Sequence, residues 1–219
     1  MATEKPETEK PNGPRSRKGA QTRARLLAAA KEIFEEDGFF DARISDISER
    51  AGLSHGSFYH YFESKDEIFR EVAAVVDREL SEPLGTVIFD RESSATPRER
   101  IREAMRRHLE SYRHEARIMG VIEQVARYDN QVNAMRRARH QHDREQVADS
   151  IRQLQRRGLA DPTLDPTTAS AALGAMTWRF AEMWLVDGIV DCTFDDGVEQ
   201  LTTLFVNALQ LRDRAAGTA

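Results

Sequence analysis

Residues 52–62 read Gly52-Leu53-Ser54-His55-Gly56-Ser57-Phe58-Tyr59-His60-Tyr61-Phe62 (GLSHGSFYHYF), and they admit two incompatible readings. The first five fit GxSxG, the nucleophile elbow of a serine hydrolase, with Ser54 as the attacking group. The whole stretch also fits the turn and second helix of a helix-turn-helix, with Ser54 as a helix cap. An elbow needs a buried strand in front of it, because the strained strand–turn–helix junction lifts the hydroxyl clear. The preceding residues, Ile44 to Ala51, instead place Ile44, Ile47 and Ala51 at helical spacing, with polar groups between and no β-branched run.

A helix-turn-helix needs what is present. Gly52 takes a left-handed turn conformation at no steric cost. Leu53 fills the space beneath the turn, and the Ser54 oxygen accepts a backbone N–H at the start of the next helix. Phe58 and Phe62, four residues apart, lie on one face and anchor that helix. His55, Gly56, Ser57, Tyr59, His60 and Tyr61 remain for the rest of its surface. They form the polar, aromatic surface that a helix entering the major groove presents.

Outward from this stretch the chain reads as helices. One runs from near Thr22 through Leu26, Leu27, Ala30, Ile33 and Phe34, and ends at Gly38. Ser64-Lys65-Asp66-Glu67 is a capping box opening a fourth helix, with Ile68, Val72, Val75 and Val76 on its apolar face. Ser81 to Ala95 carries a Pro, a Gly and a Ser pair and reads as a connection, with a domain boundary near residue 82. Thr96-Pro97-Arg98-Glu99 starts the next helix, through Ile101, Met105, Leu109 and Tyr112. An apolar segment from Ile118 to Val125 follows, then a long charged helix from about Asp129 to Arg157. Asp165-Pro166 opens the most apolar helix, reaching about Val186, and a last helix runs from about Asp195 to Leu211.

Composition agrees. Hydrophobic residues make up 40% and charged residues 32%, and 12 Gly and 7 Pro are few for an all-β chain. No strand alternation or internal repeat occurs. There is no apolar stretch of about 18 residues or more, so no membrane span is expected, and the N-terminus has no apolar core of a secretory signal. Cys192 is alone, so no internal disulfide forms and the cytoplasm is the expected compartment. No basic neighbour activates Cys192 as a redox sensor. The net charge of −5 does not advertise a nucleic-acid partner, but its distribution does. Lys10, Arg15, Arg17, Lys18, Arg23 and Arg25 follow one another without an intervening acid. Residues 165–213 hold eight acids against Arg179 and Arg212. Residues 1–20 read as a disordered basic arm, either a solvated tail or a segment tracking a DNA groove by counterion release.

Residues 22–69, TRARLLAAAKEIFEEDGFFDARISDISERAGLSHGSFYHYFESKDEIF, closely resemble the N-terminal domain of the TetR-like (tetracycline-repressor-like) transcriptional regulators. The resemblance implies an all-α fold: a three-helix helix-turn-helix domain over residues 21–66, a linking helix over about 65–80, and a helical ligand-binding and dimerisation domain over 82–213. It implies a sequence-specific DNA-binding regulator, most often a repressor released from a pseudopalindromic operator by a small apolar ligand. His55, Gly56 and Ser57 match positions that approach bases. Tyr59, Tyr61 and Lys65 match phosphate contacts, and Arg43 and Ser45 match positions touching backbone or a base edge. His60 matches less closely and can pack sideways, and Ser54 begins the reading helix. Two departures stand out. Ala42 replaces a frequent capping Thr, so Asp41 or the Arg43 backbone must start the second helix. His55 replaces a frequent Lys, trading phosphate attraction for hydrogen-bonded readout and mild pH sensitivity. A regulator with no small-molecule inducer, and a helical hydrolase using Ser54, are the alternatives.

Met105, Leu109, Tyr112, Met119, Ile122, Met176, Trp178 and Met183 are the candidate lining of an inducer pocket, against ordinary core packing. His140 and His142 are two apart and face different ways on a helix, and no His–carboxylate set has ligand spacing. His108, His114, His140 and His142 therefore read as solvated helix histidines, and neither metal nor cofactor is expected. The last two helices, about 167–211, are apolar on more than one side. By the resemblance they form a four-helix bundle with a second copy. A two-fold homodimer of that kind presents two reading helices about 34–36 Å apart or a multiple of that distance.

Overall fold

The computed structural model describes residues 17–88 and 95–212, and every regular element among them is helical. The chain divides into two compact units, one up to Val72 and one from Ala73 on. The division falls inside a helix rather than near residue 82.

The first unit holds α1 (Arg17–Asp41), α2 (Ile44–Arg50), α3 (His55–Phe58) and the start of α4 (Lys65–Ile88). α1 begins at Arg17, not near Thr22. The Thr22 hydroxyl donates to the Lys18 carbonyl at 3.0 Å, a back-bond made within a helix rather than a cap. Residues 17–20 are therefore helix, not arm; the rest of the expected arm, residues 1–16, lies outside the described residues. Gly38 interrupts α1 with φ 73° and ψ 176°. A side chain would be strained in that conformation.

The core of this unit is set by helical spacing. Leu26, Ala30, Ile33 and Phe34 of α1 are buried with Ile47 and Ala51, Phe58 and Phe62, and Ile68, Phe69 and Val72 of α4. Leu27, Ile44 and Val75, which the same periodicity assigns inward, are only half-buried at the edges. Phe69 meets Phe34 edge-on at 5.0 Å and Phe39 at 4.8 Å. Burying each such ring contributes about 1.5–3 kcal/mol. The expected capping box at α4 is half made. Ser64 Oγ accepts from the Glu67 N–H at 3.1 Å, but the Glu67 carboxylate reaches past Ser64 to the Glu63 N–H.

α4 continues to Ile88 through the stretch expected to be a connection. Val72, Val76 and Leu80 keep its buried stripe at spacings of four across the division. An unbroken apolar stripe of that kind extends the helix beyond the point where composition suggests a break. Residues 89–94 lie outside the described ones. The second unit goes on with α5 (Pro97–His114), α6 (Ala116–Val125), α7 (Asn130–Arg156), α8 (Pro166–Ala181) and α9 (Phe194–Ala208). A π turn, Glu182–Val186, ends α8. The caps form as the sequence implies. Thr96 and Glu99 make a reciprocal box with Pro97 in the first turn. Asp165 Oδ1 accepts from the Thr168 N–H at 2.8 Å ahead of Pro166. α8 packs on α7 and α9 on α5. Only Ser170, Leu173, Thr177 and Ala181 of α8 are buried in the single chain.

Candidate nucleic-acid interface and ligand cavity

The turn at Gly52 is built as a helix-turn-helix. Gly52 has φ 64°, and its N–H donates to the Glu49 carbonyl at 2.8 Å. Ser54 is extended, with φ −72° and ψ 152°, and its Oγ accepts from the Ser57 N–H at 3.3 Å. The Ser54 and Ser57 hydroxyls lie 2.8 Å apart. What precedes Ser54 is α2 and a turn, and no strand occurs among the described residues, so an elbow's geometry is missing. Arg25 of α1 clamps this turn by donating to the Ala51 carbonyl. Arg23 pairs with Glu71 and stacks over Phe62 at 4.8 Å. Both arginines, part of the basic stretch in the sequence, serve the fold of this unit. Arg17 and Lys18 stand exposed in the first turn of α1.

α3 is one turn long, and residues 59–61 continue it as a looser turn in which Phe62 N–H still donates to the Phe58 carbonyl at 3.0 Å. Phe58 and Phe62 are fully buried, while His55, Gly56, Tyr59 and His60 are exposed, Tyr59 by 52%. Ser57 and Tyr61 are half-exposed beside them. His55 and Tyr59 meet edge-on at 5.4 Å, so the two rings support each other at the surface. A Cβ on Gly56 would touch no atom of the protein, and its φ is not positive, so nothing in the fold requires glycine here.

Around α2 the missing capping hydroxyl is replaced by backbone. Ala42 is buried, and the Arg43 carbonyl accepts from Asp46 and Ile47 at 3.1 and 3.2 Å. The Arg43 side chain makes no cap bond and is exposed, as is Ser45, whose hydroxyl donates to Asp46. Lys65, expected at a phosphate, is engaged within the protein. Its Nζ donates to the carbonyls of Phe39, Phe40 and Ala42 at 2.6, 3.0 and 2.8 Å and sits 4.8 Å over the Phe39 ring. An ammonium has three protons, and all three are engaged. Lys65 ties the end of α1 to the start of α4.

In the second unit a cavity of about 550 Å³ opens between α5, α7, α8 and α9. Of the eight expected lining residues it uses Met105 and Trp178. Leu109, Tyr112, Met119 and Ile122 are buried in the core instead, and Met176 and Met183 are half-buried elsewhere. The sequence missed His108, His140, Thr177, Phe205 and the small α8 residues Ala171, Gly174 and Ala175. The expectation of solvated histidines fails at His108 and His140. His108 is 1% exposed, and neither ring nitrogen makes a hydrogen bond of full geometry, the Leu80 backbone giving at most a weak one. Burial, then the nearby Arg139 charge, pushes its pKa down to about 4, and the Leu80 backbone offsets only part of this. His140 is likewise held down to about 4 by burial and by Arg139. The two imidazoles meet Trp178 edge-on at 5.3 and 4.8 Å. The alternation of the long helix hides this: His140 turns in, while exposed His142 bonds Gln146. No cluster of three or more His, Cys, Asp or Glu suited to a metal ion occurs among the described residues. The Cys192 thiol is half-buried and held up in pKa, first by burial and then by Asp196 and Asp191.

Behind Trp178 lies a buried ion pair that the sequence did not suggest. Arg139, its side chain 4% exposed, stacks 4.1 Å over the Trp178 ring and pairs with Asp77 of α4 at 2.7 Å. Asp143 lies 3.8 Å on its other side. Burial raises the Asp77 pKa and lowers that of Arg139, so desolvation opposes the charges that attract each other here.

A short reading helix on two buried rings, capped by Ser54 and followed by a separate all-helical unit with a cavity, is the build of a helix-turn-helix transcriptional regulator. Residues 26–72 match the family model for bacterial regulatory proteins of the tetR family. YdgC of Bacillus subtilis, an uncharacterized HTH-type transcriptional regulator, is 49% identical over 55 residues, spanning 25% of this chain and 28% of YdgC. The HTH-type transcriptional regulator UidR of Escherichia coli is 28% identical over 191 residues, covering 82% of this chain and 90% of UidR. The solved structure of SmeT, the repressor of the Stenotrophomonas maltophilia multidrug efflux pump SmeDEF, shares the fold with a TM-score of 0.68. It is 19% identical and covers 90% of this chain and 95% of SmeT. Residues 26–72 thus carry the DNA-binding domain of the TetR family, and the chain over most of its length is similar to transcriptional regulators.

Proposed function

We propose that the protein is a homodimeric repressor that holds a pseudopalindromic operator and releases it when a small, largely apolar molecule fills the cavity. The observation that carries the reading is the split within residues 54–62. Phe58 and Phe62 are spent on the core, while His55, Gly56, Tyr59 and His60 are left at the surface. His55, Gly56 and Ser57 approach the bases, with Tyr59 and Tyr61 on the phosphates and Arg43 and Ser45 flanking them. His60 lies beside them and Ser54 caps the helix. Regulators of this family bind DNA and act as dimers. The dimer is formed by α8 and α9, whose exposed Ala172 and 49% exposed Leu204 are covered by the second copy. Its place is with the chromosomal DNA in the cytoplasm; no described helix is long and apolar enough to cross a membrane.

The test is selection from a random duplex pool with the full chain, followed by sedimentation of the complex. The expected result is a two-fold symmetric consensus bound by a dimer, with half-sites about 34–36 Å apart or a multiple. Tyr59→Ala should weaken all sequences alike, and Ser57→Ala should change base preference. Absence of an enriched sequence, or a consensus without symmetry, refutes the reading.

A further inference from the structure

We propose that the molecule filling the cavity is a weak organic acid: an apolar body with one carboxylic head, seated against His108. The proposal rests on the reading of this cavity as the effector site, and it names the chemistry that the site selects.

The walls define the body. Ile101, Ala104, Met105, Val147, Ala175 and Phe205 offer no side-chain hydrogen bonds, and they enclose about 550 Å³. That volume suits a molecule of ordinary ligand size. His108 defines the head. A buried polar group without a partner is unfavourable. Neither nitrogen of this ring has a partner of full hydrogen-bond geometry, and the Leu80 backbone can serve only one of them. The ring lies in the cavity wall, so a ligand can supply what the protein does not. His140 lies across Trp178 from it and is also on the wall.

The surrounding charge then separates acids from bases. Arg137 and Arg144 of α7 stand on the lining, and Arg139 lies directly behind Trp178. The one acid on the lining, Asp143, already faces Arg139 at 3.8 Å. Arg139 also disfavours protonation of both histidines, as Arg136 and Arg144 do at His140. A cation there meets repulsion, and the nearest carboxylate is already engaged. A carboxylic acid meets attraction, and with His108 it shares one proton. Neutral acid beside neutral imidazole and carboxylate beside imidazolium both satisfy the buried ring.

Three probes with one body and different heads test this: decanoate, decanol and decylamine, titrated calorimetrically into the full chain without DNA. Decanoate should bind once per chain, at least about tenfold tighter than decanol, with decylamine weaker still. His108→Leu should remove the advantage of the acid over the alcohol, and His108→Gln, which can still hydrogen-bond, should restore part of it. Circular dichroism on both variants confirms that they fold. Decylamine binding as tightly as decanoate, no saturable decanoate binding at about 1 mM, or an unchanged acid preference in folded His108→Leu each overturns the proposal. Release from the selected operator is measured separately. Acid binding that displaces the Trp178 indole yet brings no release refutes the effector reading and leaves the cavity chemistry standing. Release by an amine, with no acid binding, does the reverse.

Discussion

Replacing Lys65 by Met decides between two uses of one positive charge. Met keeps the stem over the Phe39 ring and removes the ammonium that closes on three carbonyls. A hydrogen bond to a charged group contributes about 1.5–3 kcal/mol net, less where water competes. The bonds to Phe39 and Ala42 are partly buried and the one to Phe40 is exposed, and the three share a single side chain, so they do not add. The expected cost is about 2–3 kcal/mol of stability in the first unit. The assay is a urea titration of the full chain, alongside the salt dependence of binding to the selected operator. Each phosphate neutralised steepens the plot of log affinity against log salt by about 0.9. With the ammonium fully engaged within the protein, Lys65→Met should lower the urea midpoint and leave the slope unchanged. An unchanged midpoint with a slope shallower by about 0.9 per recognition domain would refute the internal assignment and restore the phosphate contact expected from sequence.

Gly56→Ala should leave folding intact or stabilise it by up to about 1 kcal/mol, since helical Gly is unfavourable. The added methyl meets nothing in the protein. The same change should weaken operator binding by about tenfold, read by anisotropy; equal affinity would mean that the bases do not come near this position. Asp77→Asn leaves the buried Arg139 with Asp143 at 3.8 Å as its remaining ion-pair partner among the described residues. It should cost about 3 kcal/mol in urea, the lower end for breaking a buried pair; a loss below about 0.5 kcal/mol would show the pair to be solvated. His108 sets an acid limit. Its folded pKa of about 4 lies below the ordinary 6.5, so the unfolded chain takes up the proton first. Stability from this group is full above pH 6.5 and is lost as pH falls toward 4. Asp77 and Asp143, raised in pKa, act in the opposite sense, so the readout is the wild-type curve minus that of His108→Leu. That difference should slope between pH 6.5 and 4 and be flat above; a flat difference throughout would place His108 in water.

The recognition unit is legible in the sequence because its signals are local. A turn glycine, a capping serine and two aromatics four apart fix α3 within eleven residues, 52–62, and each does in the structure what its chemistry implies. The cavity is not legible because it depends on which faces of four helices meet. Apolar size is the signal that a sequence offers for lining, yet Leu109, Tyr112, Met119 and Ile122 are core for that very reason. The real lining needs small residues on α8 to leave space and histidines to break the apolar wall, and neither carries a periodic signature. Lys65 is a different case. Its position near the reading helix suggests phosphate, but carbonyls left open where Gly38 breaks α1 compete for the same ammonium and lie within 3.0 Å of it. Open carbonyls of that kind are what every helix end leaves for a donor to satisfy.

These corrections alter how the proposed release would work. α4 carries Lys65 at its start, held by carbonyls of the first unit, and Asp77 three turns later, held by Arg139 in the second. The two attachments thus lie on one helix, one in each unit. Arg139 stacks on Trp178, and Trp178 is cavity wall. A ligand that displaces this indole must either carry the guanidinium with it, pulling on Asp77, or strip the buried charge of its stacking partner. Coupling requires that one of these costs differ between the bound and free states of the DNA-binding unit. A filler that leaves Trp178 in place, however tightly held, supplies no such difference and should bind without releasing the operator. Occupancy of the cavity and displacement of Trp178 are thus separate requirements, and indole fluorescence in a Trp184→Phe background, which leaves Trp178 as the only indole, distinguishes them.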